Sequence, residues 1–375
     1  MNLDPDTAAK KIRVKSERLL KCEAGEALLT VNQLRKAARL YRRPLATFFL
    51  PEPPRDFHVP HDYRQVPGAP PKPLSPEFIA AVREAEYRRD VATQFADEIP
   101  EDPRRFIGSV SLNAEADSVA RKIRRMLGLS LQTQKLWNTN YDALNAWKEA
   151  IEEQGVLVFH FSSVDVQEVR AFSINQTVFP IIAVNGADSP TGRVFSLLHE
   201  FTHLLLDREG ACNFREHERG QFEERTVEVF CNYSAGATLV PAGSLLAHPL
   251  VRRAGKGSTW TDEQLAHLAD LYHVSRQVVL RRLLIVGKTN RRFYRLKRQD
   301  LAEAGAEKRA GGFLTWPQRV VRGLGRPFLR IILEAYYREA MTSSDLAEVI
   351  GVRLKHLPAI EERLAGPNVL TGSDR

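Results

Sequence analysis

Residues 196–207 read SLLHEFTHLLLD, which sets His199, Glu200 and His203 inside an otherwise apolar run. Polar groups buried in a core without partners are costly, so these need compensation. A separation of four puts His199 and His203 one turn apart on the same helix face. Two neutral imidazoles so placed can bind one divalent cation, most often zinc. Glu200 points about 100° away from the first histidine. That direction does not suit ligation of the same ion, but it reaches a water bound there. This is the HExxH pattern, in which zinc acidifies a water and the glutamate takes its proton. Leu197, Leu198, Leu204, Leu205 and Leu206 predict that the helix passes through a core, which keeps the site dry and fixed. A surface pair of histidines beside an acid is the other reading, and the leucines oppose it.

A catalytic zinc site takes three protein ligands, so one more is needed. The stretch QFEERTVEVFCN offers Glu223, Glu224 and Glu228. The first two fall at the polar start of a helix, where acids favour the dipole. Glu228 lies within the run of Val227, Phe230 and Ala235, with Asn232 one turn later on the same side. Glu228 is the expected ligand and Asn232 the residue that orients it; a solvated helix glutamate is the alternative. Cys231 reads as a small core residue, and His217, in a charged loop, as solvent-exposed. A His/His/Glu set accepts Mn2+ or Fe2+ as well as Zn2+.

These residues need elements to hold them. GVLVFHF, VRAFSI and PIIAV are three short β-rich runs separated by polar turns, which predicts three strands of one small sheet. The motif helix starts after SPTGR. A second long helix covers EERTVEVFCNYSAGATL and stops before Pro241. PIIAVN, just before the motif helix, reads either as an edge strand able to pair with an extended peptide or as an ordinary internal strand. Towards the N-terminus, 8–23 predicts two short helices and 31–41 an amphipathic one. A proline-rich linker covers about 50–75, and helices follow near 76–97 and over 114–128. Beyond the site, 262–286 has helix–turn–helix spacing in Leu265, Leu268, Ala269, Leu271, Val274, Val278 and Leu283. The tail, 314–363, reads as helical with a break at MTSSD, and Pro358 is expected to break its last helix.

The chain has 375 residues and 43% hydrophobic content, enough for two or three domains with proper cores. No apolar run is long enough to cross a bilayer. The N-terminus has no hydrophobic leader segment, and the three cysteines form no CxxC pair, so a cytoplasmic protein without disulfides is expected. The net charge of +8 is unevenly spread. Residues 251–298 hold twelve Lys/Arg against three acids, and 1–50 hold eleven against five, whereas 199–230 carry eight acids against four bases. Two basic segments flank an acidic middle. Charge alone leaves nucleic acid and a solvated surface equally open.

The runs GVLVFHFSSVDVQEVRAFSI, PIIAVN, RVFSLLHEFTHLLLD and EVFCNYSAGATLVP together resemble the ImmA/IrrE family of metallopeptidases, over about 103–245. In that family the HExxH helix is followed by a helix whose glutamate, four before an asparagine, is the third ligand. Glu228 and Asn232 match that spacing; Thr202 departs from the small residue common there. The resemblance implies a cytoplasmic zinc endopeptidase with Glu200 as general base. It also implies a protein substrate, an Xre-type helix–turn–helix repressor, cleaved to release stress, phage or mobile-element genes.

Residues 8–50 resemble the Xre-type helix–turn–helix that precedes this peptidase in two-domain members, with its first helix missing or reduced. Val14 and Leu19 would be core, with Lys15, Ser16, Arg18 and Lys21 facing outward. Such a helix reads double-stranded DNA; a packing or protein-interaction module is the equal alternative. Arg276, Arg281, Arg282, Arg291 and Arg292 could contact phosphates or an acidic partner.

The expected fold is α+β: a mostly helical multi-domain chain with a small three-stranded sheet packed on a zincin-like HExxH helix core. Its expected parts are a helix–turn–helix segment (1–55), linker and connecting helix (56–102), peptidase core (103–250), a basic segment closing the core (251–298) and a helical C-terminal region (299–375). A competing function is a DNA-binding transcriptional regulator with a structural or sensory metal domain. An intact Glu200 argues against it, because a structural site has no use for a base.

Overall fold

The computed structural model describes residues 4–41, 48–49, 63–64, 74–96, 106, 110–206, 221–306 and 315–365. The chain divides into two compact units, 1–60 with 68–84 and 61–67 with 85–375.

In the first unit, α1 (Pro5–Ile12), α2 (Ser16–Glu23) and α3 (Val31–Tyr41) share a small core of Ala8, Ala9, Ile12, Leu19 and Ala37. Asp4 caps α1 by accepting from the Thr7 amide. Leu19 is buried as expected, and Val14 packs against this core only in part. Lys15, Arg18 and Lys21 are exposed. A long helix, α4, runs Pro76–Gln94. Apart from 63–64 and 74–75, the expected linker lies outside the described residues.

The second unit is built on a mixed sheet. Its strands are β1 (Tyr63–Arg64), β2 (Leu157–Phe161), β3 (Ala171–Ile174) and β4 (Ile181–Asn185), in the order β1-β3-β4-β2. β2 and β4 are parallel, and β3 is antiparallel to both β4 and β1. The three expected strands are present, and a two-residue strand from the proline-rich stretch adds a fourth. β4 is internal, paired on both sides, which overturns the edge-strand reading of PIIAVN. Its five residues are all buried. An unbroken apolar run belongs in such a central strand, covered on both faces.

Helices α5 (Ala116–Met126), α6 (Leu131–Lys135) and α7 (Asn140–Glu152) precede β2, and α8 (Pro190–Leu206) carries the motif. It is followed by α9 (Gln221–Leu239), α10 (Ala242–Ala247), α11 (Pro249–Arg253), α12 (Asp262–Tyr272), α13 (Arg276–Ile285) and α14 (Arg291–Ala306). The C-terminal helices are α15 (Trp316–Leu324), α16 (Arg326–Tyr337), α17 (Ser343–Ile350) and α18 (Leu357–Ala365). One core joins Leu197, Leu198, Phe201, Leu204 and Leu205 of α8 to Leu144, Trp147 and Ile151 of α7. The same core takes in Ala235 and Leu239 of α9, Leu265 and Leu268 of α12, and Leu280 and Leu283 of α13. The motif helix therefore does run through a core, and the basic segment 251–298 shares that core.

Gly325, between α15 and α16, has φ +78°; a Cβ there would lie 2.5 Å from Glu152 Oε1 and 2.9 Å from the Val158 carbonyl. Only glycine lets the chain pass so close to α7 and β2. Pro358 does not break a helix: it is the second residue of α18, where a missing N–H costs nothing. No described helix is long and apolar enough to cross a membrane.

Candidate metal centre

His199 and Glu200 are completely buried on α8, and His203 nearly so. The helix tolerates Thr202 among them because its hydroxyl donates to the Leu198 carbonyl at 2.7 Å. Glu228 reaches the two histidines from α9. His203 Nε2 lies 3.1 Å from His199 Nε2 and 3.0 Å from Glu228 Oε1, and His199 Nε2 lies 3.5 Å from Glu228 Oε2. Ligands about 2.05 Å from a tetrahedral zinc are separated by roughly 3.3 Å. The three observed separations bracket that value, so the donor set fits one small divalent cation. The Glu228 side chain is 40% exposed, which opens the centre on that side.

The electrostatics favour positive charge at this point. Burial would push the Glu228 carboxyl up, but hydrogen bonds and charge from His199 and His203 outweigh it and hold it well below the usual carboxylate range. Burial would pull His203 down, but hydrogen bonds with Cys231 and Glu228 and the charge of Glu200 outweigh it and raise the imidazole well above its ordinary value. A proton or a metal ion satisfies the same demand.

Asn232 donates to the Glu228 backbone carbonyl at 2.8 Å. It steadies the helix turn that carries Glu228 and does not touch the carboxylate. Ser173, on β3, is an unexpected member of the site: its hydroxyl donates to Glu200 Oε2 at 2.8 Å. The one signal available was a polar residue between Phe172 and Ile174 in a strand that is otherwise apolar. Cys231 is buried, as expected of a small core residue, and its thiol adjoins His203. Burial pushes that thiol up, which keeps it protonated and a poor ligand.

The basic candidates differ in their surroundings. Arg282 is 1% exposed; it donates to the Val240 carbonyl and pairs with Asp117 at 2.9 Å. It is a core ion pair and cannot contact a phosphate, which corrects its reading as a partner residue. Arg276 pairs with Asp262 at 3.3 Å, and Arg281 lies over Tyr294. Arg291 and Arg292 are exposed. On the first unit, Lys21 pairs with Glu17 at 3.0 Å, and Arg18 reaches the Leu28 carbonyl. His217 and the side chains of Glu223 and Glu224 lie outside the described residues.

Residues 151–284 match the family model of peptidase M78, the IrrE N-terminal-like domain. The match runs from the end of α7 to α13 and contains all three members of the His/His/Glu group. This part of the chain is thus similar to a metallopeptidase domain. No curated protein matches the chain.

Proposed function

We propose that the chain is a metal-dependent endopeptidase of the ImmA/IrrE type that cleaves a protein regulator, with an Xre-type repressor as substrate. One observation carries the reading: a three-ligand metal group lies beside a buried glutamate that is not one of its members, within a segment similar to a metallopeptidase. A purely structural site would have no use for Glu200, whose carboxylate is fully buried and held by Ser173. His199, His203 and Glu228 would hold the cation, zinc first among the candidates, which supplies Lewis acidity towards a peptide carbonyl. Glu200 takes a proton from the attacking water and returns it to the departing amine. Ser173 keeps the carboxylate aimed while the proton is exchanged.

The substrate strand belongs on β3. This strand packs against α8, and its Ser173 touches the base. β4 covers one edge of β3, and β1 pairs with the other, Tyr63 opposite Phe172 and Arg64 opposite Ala171. A peptide adding to this outer edge would be held by main-chain hydrogen bonds, with little demand on its sequence. The chain's own residues 63–64 hold that place, so they and a substrate compete for it.

The test is co-expression with each candidate repressor, followed by mass spectrometry of the fragments. A repressor cut by the wild type and left whole by Glu200→Gln supports the reading. Failure to cut any repressor, with a full complement of metal, removes the proposed substrate class.

A further inference from the structure

We propose that Arg193, Arg322 and Tyr141 form a binding site for a phosphate-class oxyanion, clamped between the start of α8 and the C-terminal helices. Arg193 is 3% exposed and sits one turn into α8; Arg322 projects from α15. Both guanidinium groups lie over the same ring, that of Tyr141 on α7, at 5.8 and 4.7 Å from its centroid. The Tyr141 side chain also hydrogen-bonds to both arginines and the charge of Asp188 acts on Arg193, but among the described residues neither guanidinium has an ion pair with a carboxylate, and Arg193 Nε, Arg322 Nε and Arg322 Nη2 are buried without a hydrogen-bond acceptor. His160 Nε2, on β2, is in the same condition.

The acids nearby form their ion pairs elsewhere. Glu152 faces Lys148 at 3.5 Å, and Asp188 takes Arg170 at 3.1 Å. Lys148 also donates to the Arg322 backbone carbonyl at 2.8 Å, which fixes α15 against α7. Two positive charges, Arg193 buried and Arg322 half-buried, are thus only partly balanced. Sharing one tyrosine recovers only part of the cost of holding two like charges at the same ring. Burial pulls Arg193 down to about 10 and lowers Arg322, yet Arg193 stays charged at neutral pH. Burial also pushes the Glu152 carboxyl up to about 7, which weakens the local negative charge further.

A doubly charged phosphate answers both deficits. Its oxygens match two guanidinium forks and take the orphaned N–H groups. Free phosphate and the phosphate of a nucleotide share this chemistry. Arg193 precedes His199 by six residues, about 9 Å along one helix. An anion here would tie α15 to the helix that carries the metal ligands, which gives the C-terminal helices an effector role beyond packing.

The experiment uses the full chain without peptide substrate, so its outcome is independent of the proposed peptidase activity. Inorganic phosphate, adenosine monophosphate and acetate are each titrated calorimetrically into the wild type, Arg193→Gln and Arg322→Gln. Saturable phosphate binding that weakens at least tenfold in both variants is expected. Tighter binding of the nucleotide than of phosphate points to a nucleotide source, and weaker binding to free phosphate. Thermal unfolding without phosphate is the second measurement. Relieving an uncompensated charge should make Arg322→Gln melt higher than wild type, with no further rise on adding phosphate. Phosphate binding that is absent, that survives both substitutions, or that acetate equals would overturn the proposal. So would an Arg322→Gln protein that melts lower than wild type and still gains from phosphate.

Discussion

Two imidazoles one turn apart and a carboxylate from the next helix form a group that only a cation or a proton can satisfy. His203→Ala should therefore lose the bound metal equivalent, checked by elemental analysis of the purified protein. The pH response follows from the same geometry. His203 is raised above its ordinary value, so protons compete with the metal there, and metal occupancy should fall as pH drops through the raised value. The metal-free protein should show the opposite trend. Stability contributed by a raised histidine is fully present below the ordinary imidazole pKa and is lost as pH rises through the folded value. Urea midpoints of metal-free and metal-loaded protein against pH would show the two trends diverging. Ser173→Ala should lower kcat about tenfold or more, since a hydrogen bond to a charged group is worth roughly 1.5–3 kcal/mol. KM should change little, and Ser173→Thr should restore part of the rate. The four-residue histidine spacing was legible in the sequence because helix geometry fixes which side chains share a face. Glu228 was legible from spacing together with the family likeness. Ser173 was not, because its contact crosses from a strand to a helix 27 positions on, and no local pattern encodes that.

At the scale of elements, β1 and Gly325 carry the consequences. Replacing both Tyr63 and Arg64 with proline removes whichever of their two N–H groups faces β3 and should weaken the hold of β1 on that strand. Cleavage of an extended peptide should then show a lower KM, while the metal content stays unchanged. An unaltered KM would mean that substrate and β1 do not share the edge. Gly325→Ala places a methyl group against Glu152 and the Val158 carbonyl on a backbone at φ +78°. A loss of about 1–3 kcal/mol is expected from denaturant unfolding, with the damage between β2 and the C-terminal helices. The three strands and the helices around the site were legible from their periods. Strand order was not: periodicity says that PIIAV is buried, but not which strands flank it. A two-residue strand within a proline-rich stretch offers no period to read. Arg282 shows the same limit for charge, since its place on a basic helix said outward while its bonds to Asp117 and the Val240 carbonyl hold it inside.

For the molecule as a whole, the positive charge is carried by two segments in different units, and only part of it is available to a partner. If the exposed bases bind duplex DNA, affinity should fall steeply with salt, and the combined Lys15, Arg18 and Lys21 to Gln variant should flatten that slope in a gel-shift titration. Arg282→Gln should cost folding stability instead, because it leaves Asp117 without its buried partner. The acidic middle is legible from composition; the distances within its His/His/Glu group come with the packing of α8 against α9. The proposed chemistry depends on Glu200 acting as a base and not as a ligand. The most direct measurement compares wild type and Glu200→Gln, each with its metal content determined, for cleavage of the same protein substrate. One metal equivalent is expected in both proteins, with a rate about 10²–10⁴-fold lower in the variant. A Glu200→Gln protein that keeps its metal and cuts at the wild-type rate would contradict this chemistry.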